Sequence, residues 1–266
     1  MLRSSTSDND LATATFLTKG AVGGPVQIFR EASSDLEMLT PTFPPLERIE
    51  GGARVQTYKM PPWAERCQMI FMTKGRPLKA NVELMLGPLR TTHQLKLDVE
   101  DGSLTPYQAT LKFKKENQVL RITTREMDYP IWFGLFVPSP ERSKELAANT
   151  EKVWDNSTMY EKQRVQGAST MGGASARRYW TVPPNVKSVQ VLLWSRDTGK
   201  KSLKVTIDVM QGAENVKQEI FIQCGGGSQP YHAVVQTPKG GTLGIRNHKF
   251  VEDGLMEVAF VPYEMF

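Results

Sequence analysis

"GGARVQTYKMPPWAERCQMIFM", residues 51–72, lines up with "GGASARRYWTVPPNVKSVQVLLW", residues 172–194: a Gly-Gly pair, an aromatic residue, a Pro-Pro pair and a glutamine follow in the same order. The match continues downstream. "LKANVELMLGP" (78–88) answers "LKVTIDVMQGA" (203–213), "TPYQA" (105–109) answers "QPYHA" (229–233), and "GLFVPSPE" (134–141) answers "EVAFVPYE" (257–264). Pro106 and Pro230 are 124 residues apart, as are Phe136 and Phe260. Landmarks that keep one register over this distance indicate an internal duplication, which sets the architecture before any single strand is assigned.

Each copy reads as short strands. "HQLKLDV" (93–99) alternates, with Leu95, Leu97 and Val99 on one side and Lys96 and Asp98 on the other, the pattern of a half-buried antiparallel strand. Similar runs, among them "CQMIFMT", "VLRITT", "IFIQ" and "LMEVAFV", are separated by Gly, Pro, Asn or Asp turns with no helical period between them. About seven strands in about 90 residues make each copy an antiparallel β-sandwich of jelly-roll-like character. The expected fold class is all-β: two tandem homologous sandwich units with pseudo-two-fold symmetry, joined by a short helix. The segments are an extended arm over 1–50, unit 1 over 51–140, a helical connector and linker over 141–171, and unit 2 with a C-terminal tail over 172–266.

The connector helix has its own signals. In "SPERSKELAANTEKVWDN", Ser139 suits the N-cap, Pro140 the first helical position and Glu141 the first turn, while Leu146, Thr150, Val153 and Trp154 share one face. "DNSTMYEKQRVQGASTMGG" after it reads as a polar, Gly-rich linker. The first 50 residues offer only "ATFL" and "VQIF" as apolar stretches, too little for a core, so they read as a tail or a docking arm. "PVQIFR" fits β-augmentation of a sheet edge, its own or a neighbour's.

Charge and chemistry narrow the function. The 266 residues carry 33 Lys+Arg against 28 Asp+Glu, a net charge of +5, and the pI is about 9.1. The basic residues are interspersed with acids, so nucleic acid is not an expected partner. The longest apolar runs, such as "IWFGLFV" (131–137), fall far short of the roughly 20 residues that span a bilayer, and membrane insertion is not expected. "MLRSSTSDND" lacks the apolar core of a secretory signal. Cys67 and Cys224 have no CxxC or ligand spacing and read as buried reduced thiols. His93, His232 and His248 read as surface or turn histidines, and the position of His232 in unit 2 is held by Gln108 in unit 1. "CGGGSQP" (224–230) lacks the phosphate-loop spacing, and Glu100-Asp101 and Glu252-Asp253 beside glycines read as turn acids. Catalytic residues, metals and cofactors are therefore expected to be none. Trp63, Trp132, Trp154, Trp180 and Trp194 are too dispersed for a sugar-stacking row, yet a carbohydrate-binding module stays open as an alternative.

The residues also carry a family likeness. "ELMLGPLRTTHQLKL" (83–97), the linker "VPSPERSKELAANTEKVWDNS" (137–157) and the closing "HKFVEDGLMEVAFVPYE" (248–264) resemble the pyrenoid shell proteins of diatoms and related algae. The resemblance covers residues 51–264 and is most specific in the linker. It implies a plastid protein of the stroma at the pyrenoid periphery. Such a protein self-assembles into a sheet around the Rubisco-filled pyrenoid and supports CO2 concentration and fixation. It brings no catalytic residues. The implied partners are further copies of the chain, in a sheet or tube, with Rubisco or the pyrenoid matrix as a second class. The plastid-targeting presequence of the family is not among these residues, so the chain reads as a mature or trimmed form. A plastid linker or antenna-associated sandwich that binds a partner without a lattice is the alternative within the same compartment.

Under that reading the assembly contacts fall on edges and tails, because each unit looks complete without them. The candidates are Phe16, Val26, Ile28 and Phe29 in the arm, and Tyr263, Met265 and Phe266 at the C-terminal end.

Overall fold

The computed structural model describes residues 26–27, 39–41, 43–114, 116–159, 161–165, 167, 177–195, 202–212, 215–225, 230–248 and 255–266. Strand β1 (Val26–Gln27) comes from the arm. The first half then runs β2 (Glu47–Ile49), β3 (Val55–Lys59), β4 (Arg66–Met72), β5 (Leu78–Leu86), β6 (Arg90–Val99), β7 (Tyr107–Lys112), β8 (Gln118–Thr124) and β9 (Ile131–Phe136). Helix α1 (Pro140–Asn156) leads into the second half. There follow β10 (Lys162–Val165), β11 (Arg177–Val182), β12 (Val186–Trp194), β13 (Ser202–Met210), β14 (Val216–Gly225), β15 (Tyr231–Gln236), β16 (Gly241–Asn247) and β17 (Met256–Met265).

These strands form two sheets packed face to face, so the protein is an all-β, two-sheet sandwich. One sheet has nine strands in the order β1-β11-β16-β13-β14-β6-β5-β8-β3; the other has eight in the order β10-β17-β12-β15-β7-β4-β9-β2. The duplicated halves do not stand apart. They join edge to edge, through β14·β6 in the nine-stranded sheet and β15·β7 in the eight-stranded one, and both sheets run without a break through the whole molecule. At about 4.8 Å per strand the result is a slab roughly 40 Å wide.

The register shows where the pseudo-two-fold axis passes. In the eight-stranded sheet Ala109 lies opposite Ala233, its own counterpart in the duplication, with Thr110 opposite His232 and Gln108 opposite Val234. In the nine-stranded sheet Lys96 lies opposite its counterpart Phe221, flanked by Leu97 opposite Ile220 and Leu95 opposite Ile222. An antiparallel pair centred on equivalent residues is what a two-fold operation requires of two copies of one strand.

Alternation fills the interior. Leu78, Ala80, Val82 and Leu84 of β5 and Leu95, Leu97 and Val99 of β6 point inward and are buried, and Val205, Ile207, Ile220 and Ile222 do the same in the second half. One continuous core takes in residues of both halves, from Ile49 to Phe260. β5 and β6 are joined by a tight hairpin in which Gly87 adopts φ 66°, a left-handed conformation that a side chain would strain. Pro106 and Pro230 each precede the first residue of a strand, where a missing N–H breaks no ladder bond.

The helix behaves as its sequence signals indicate. The Ser139 hydroxyl accepts from Arg142 N at 3.2 Å, Pro140 opens the first turn, and Ser143, Leu146, Asn149, Thr150, Val153 and Trp154 form the buried face. That face lies on the outside of the eight-stranded sheet, where Val153 and Trp154 pack with Leu192, Ala259 and Val261. Two stretches are more ordered than their composition indicates. β2, within the segment read as arm, pairs with β9, and β10, within the segment read as linker, pairs with β17. Both are held by ladder bonds to a complete sheet, and each sets one apolar residue, Ile49 or Val165, into the core.

Candidate functional site: the seam, the two faces and the edges

The repeated Pro-Tyr motif brings its two tyrosines together. The hydroxyls of Tyr107 and Tyr231 hydrogen-bond to each other inside the sandwich, 124 residues apart in sequence. Burial pushes both phenols above their ordinary range, so they stay neutral. Each satisfies the one polar atom that the other carries into the core, which is why the motif recurs as a pair.

On the outer side of the same seam, helix α1 closes the eight-stranded sheet. Arg66 of β4 donates to Ser143 Oγ at 3.0 Å, and Ser143 Oγ donates to Glu65 Oε1 at 2.9 Å, which fixes the start of the helix to the first half. Further along, His232 Nε2 bonds Gln190 Oε1 at 3.0 Å and Nδ1 meets the Thr150 hydroxyl at 3.0 Å. The Thr150 hydroxyl itself donates to Leu146 O at 2.8 Å, and enclosure between the helix and the sheet keeps the imidazole neutral. Burial lowers its pKa to about 3. Trp154 packs edge-on to Trp194 at 5.3 Å and anchors the far end on the second half. The helix thus bridges both halves across the seam.

This corrects the expectation for two of the histidines. His232 is 3% exposed and His93 is 7% exposed, with the pKa of His93 lowered to about 4, chiefly by burial; neither is a surface residue. His93 has the parity of Leu95 and Leu97 on β6 and follows them inward, while His232 is covered by α1. His248 is only half-buried and bonds Thr206 at 2.7 Å. Cys67 and Cys224 are free, buried thiols, each pushed up to about 12 by burial. Among the described residues no group of three or more His, Cys, Asp or Glu is arranged to hold a metal ion. No described helix is long and apolar enough to cross a membrane. Of the five tryptophans, Trp180 and Trp154 are buried and Trp63 is 45% exposed, so they form no exposed row.

The two broad faces differ chemically. Among the described residues no helix covers the nine-stranded face, which carries ion pairs: Lys79–Glu126 at 2.7 Å, Arg121 Nε–Glu83 at 2.8 Å, Arg125–Asp98 at 3.3 Å and Lys217–Glu100 at 2.6 Å. Such partly exposed pairs add little stability, about 0–1 kcal/mol each, and keep that face polar. The opposite face is covered by α1 and by Leu39 and Thr40, which pack on Val234 and Tyr263.

The tails named as assembly candidates divide accordingly. Val26 lies in β1, which runs parallel to β11 on the edge of the nine-stranded sheet of its own chain, with Val26 opposite Trp180 and Gln27 opposite Thr181. Phe16, Ile28 and Phe29 lie outside the described residues. Tyr263 is 1% exposed and spends its surface within the chain, its hydroxyl 3.4 Å from Thr40 Oγ1. Met265 and Phe266 are exposed at 38% and 71%, at the end of β17.

Residues 40–262 match the model of a protein family, the diatom pyrenoid shell protein. The chain belongs to that family. Membership carries a structural role in the pyrenoid shell and a pyrenoid location in the plastid. No curated protein matches the chain significantly. Two solved structures show weak overall similarity. The exported protein XepA of PBSX shares 10% identity at a TM-score of 0.27, over 89% of this chain and 94% of that one. The VP2 subviral particle of infectious bursal disease virus shares 9% at 0.15, over 86% and 82%. Similarities this weak add nothing to what family membership says of the shell protein.

Proposed function

We propose that this chain is a structural, non-catalytic building block that assembles with further copies of itself into a sheet around the Rubisco-containing pyrenoid. The shell lies at the pyrenoid periphery in the stroma and supports CO2 concentration and fixation by enclosing the matrix. Rubisco or another matrix component is the partner of its inner side. The observation that carries the reading is the family match over residues 40–262.

The architecture supports it in three ways. A seam that fuses both sheets makes one rigid slab, since no hinge of independent sandwiches remains between the halves. The pseudo-two-fold axis sets like edges at opposite sides, and contacts between non-identical but similar edges propagate instead of closing. The two faces are chemically distinct, as a layer separating matrix from stroma requires. The arm and the exposed end at Met265 and Phe266 supply further contacts.

Concentration-dependent light scattering on the full chain, with and without residues 1–38, tests the proposal. Growth of large particles from the pure full chain is expected, reduced by the truncation. A chain that stays monomeric at all concentrations and binds a glycan or a plastid partner one-to-one would overturn it.

A further inference from the structure

The four lateral edges of the slab are not treated alike. In the eight-stranded sheet the outermost core strands, β9 and β17, are each covered by a short added strand, β2 and β10. In the nine-stranded sheet β11 is covered by β1. Its counterpart by the duplication is β3: Trp180 pairs with Leu243 as Tyr58 pairs with Leu120. Among the described residues no strand covers β3. The covering strands are themselves short and, in β2 and β10, charged: "ERI" and "KQRV". β3 is a five-residue run, "VQTYK", with Val55 56% exposed; its ladder to β8 has no bulge, and Lys59 at its end is the one charge that guards the edge.

The backbone parity of β3 defines what it offers. Met60 N donates to Gln118 O at 2.8 Å and Thr124 N donates to Arg54 O at 3.0 Å, so the even-numbered residues spend their backbone groups on β8. By the alternation of an antiparallel ladder, Val55, Thr57 and Lys59 direct their N–H and C=O away from the sheet. We infer that this edge is an interface between two copies of the chain: β3 pairs antiparallel with β3 of a second copy, centred on Thr57, and joins their nine-stranded sheets into one. Thr57 then faces Thr57 and Val55 faces Lys59, each pair exchanging both backbone bonds. The only charge on the strand meets an aliphatic side chain and never its own copy. A second copy is the occupant that fits, because the register is self-complementary. An arm strand from a neighbour would have to leave β11 uncovered to serve β3.

The inference rests on the proposed self-assembly and names one of its contacts; the test separates the two. In Thr57→Pro the lost N–H points outward, so the ladder to β8 survives while the new pairing loses its central bonds, and self-association through this edge is expected to weaken about tenfold or more. Val55→Lys sets a second ammonium group directly opposite Lys59 of the other copy and is expected to weaken it as well, and V55K combined with K59E is expected to restore it. This charge exchange stays informative where the proline variant fails to fold. As an independent readout, T57C treated with a short bismaleimide is expected to give a covalent dimer. V55C and K59C are expected to cross-link efficiently only when mixed. Cys67 and Cys224, buried and with thiols pushed up to about 12, supply no background. T57C dimers without sheets in the microscope uphold this interface and count against the shell. Sheets formed equally by wild type, V55K and T57P, with no T57C dimer, uphold the shell and overturn this interface. Loss of association only on removal of residues 1–38, with no effect of V55K, also overturns it, in favour of the arm.

Discussion

Replacing Tyr107 by Phe removes one hydroxyl from the seam and leaves the Tyr231 hydroxyl without its partner inside the core. A buried polar group stripped of its hydrogen bond costs about 1–3 kcal/mol, so Y107F is expected to destabilise by about that amount. Tyr231→Phe does the same from the other half. The double variant removes both hydroxyls and leaves two rings in an apolar setting, with the Phe71–Tyr107 ring contact at 6.4 Å undisturbed. Its cost is expected to be no larger than that of one single variant, a coupling of about 1–3 kcal/mol. Urea unfolding followed by tryptophan fluorescence reads this, on the full chain at concentrations too low for assembly. The midpoint falls for each single variant with an unchanged slope and recovers in the double. Costs that add, with the double variant as unstable as the sum, would show that the two hydroxyls do not serve each other. The account of the repeated motif would then fail.

Further outcomes follow from other parts of the fold. His232 and His93 have folded pKa values of about 3 and about 4 against an ordinary 6.5, so the unfolded chain binds protons that the folded one refuses. Their contribution is complete above about pH 6.5 and is lost as pH falls towards 4, about 2 kcal/mol each by pH 5 as an upper value. His232→Gln, the residue unit 1 carries at that position, is expected to flatten the acid limb of a Tm-versus-pH curve; an unchanged limb would contradict the burial account. Ser139→Ala removes the helix cap and is expected to cost about 1 kcal/mol, with faster amide exchange in the first turn of α1. Gly134→Ala places a Cβ 2.7 Å from Leu46 Cδ2 and 2.8 Å from Ile70 Cγ2. Overpacking of about 1–3 kcal/mol and loosening of β2 from β9 are expected, read by exchange at Glu47–Ile49.

The duplication was legible because it is written in side chains that packing constrains: the Pro-Pro and Pro-Tyr pairs, and alternating runs such as "LKANVEL" and "LKVTIDV". The helix was legible because Ser139, Pro140 and the stripe from Leu146 to Trp154 act locally. The fusion of the halves was not. β6 and β14 alternate as any half-buried strand does, and periodicity does not record which strand lies at an edge. His93 carried a readable signal, since it shares the parity of Leu95 and Leu97. His232 carried one in its neighbours: "YHAVV" has no polar alternation, the mark of a strand buried on both faces. The free edge at β3 had no sequence signal, because it is defined by a strand that covers β11 and has no counterpart at β3 among the described residues.

Electron microscopy of the pure 266-residue chain near physiological salt tests the central claim most directly. Extended, one-molecule-thick sheets or tubes with a regular repeat, formed without Rubisco or any other component, are the predicted result. Dispersed monomers at every concentration, or amorphous clumps without a repeat, would contradict it.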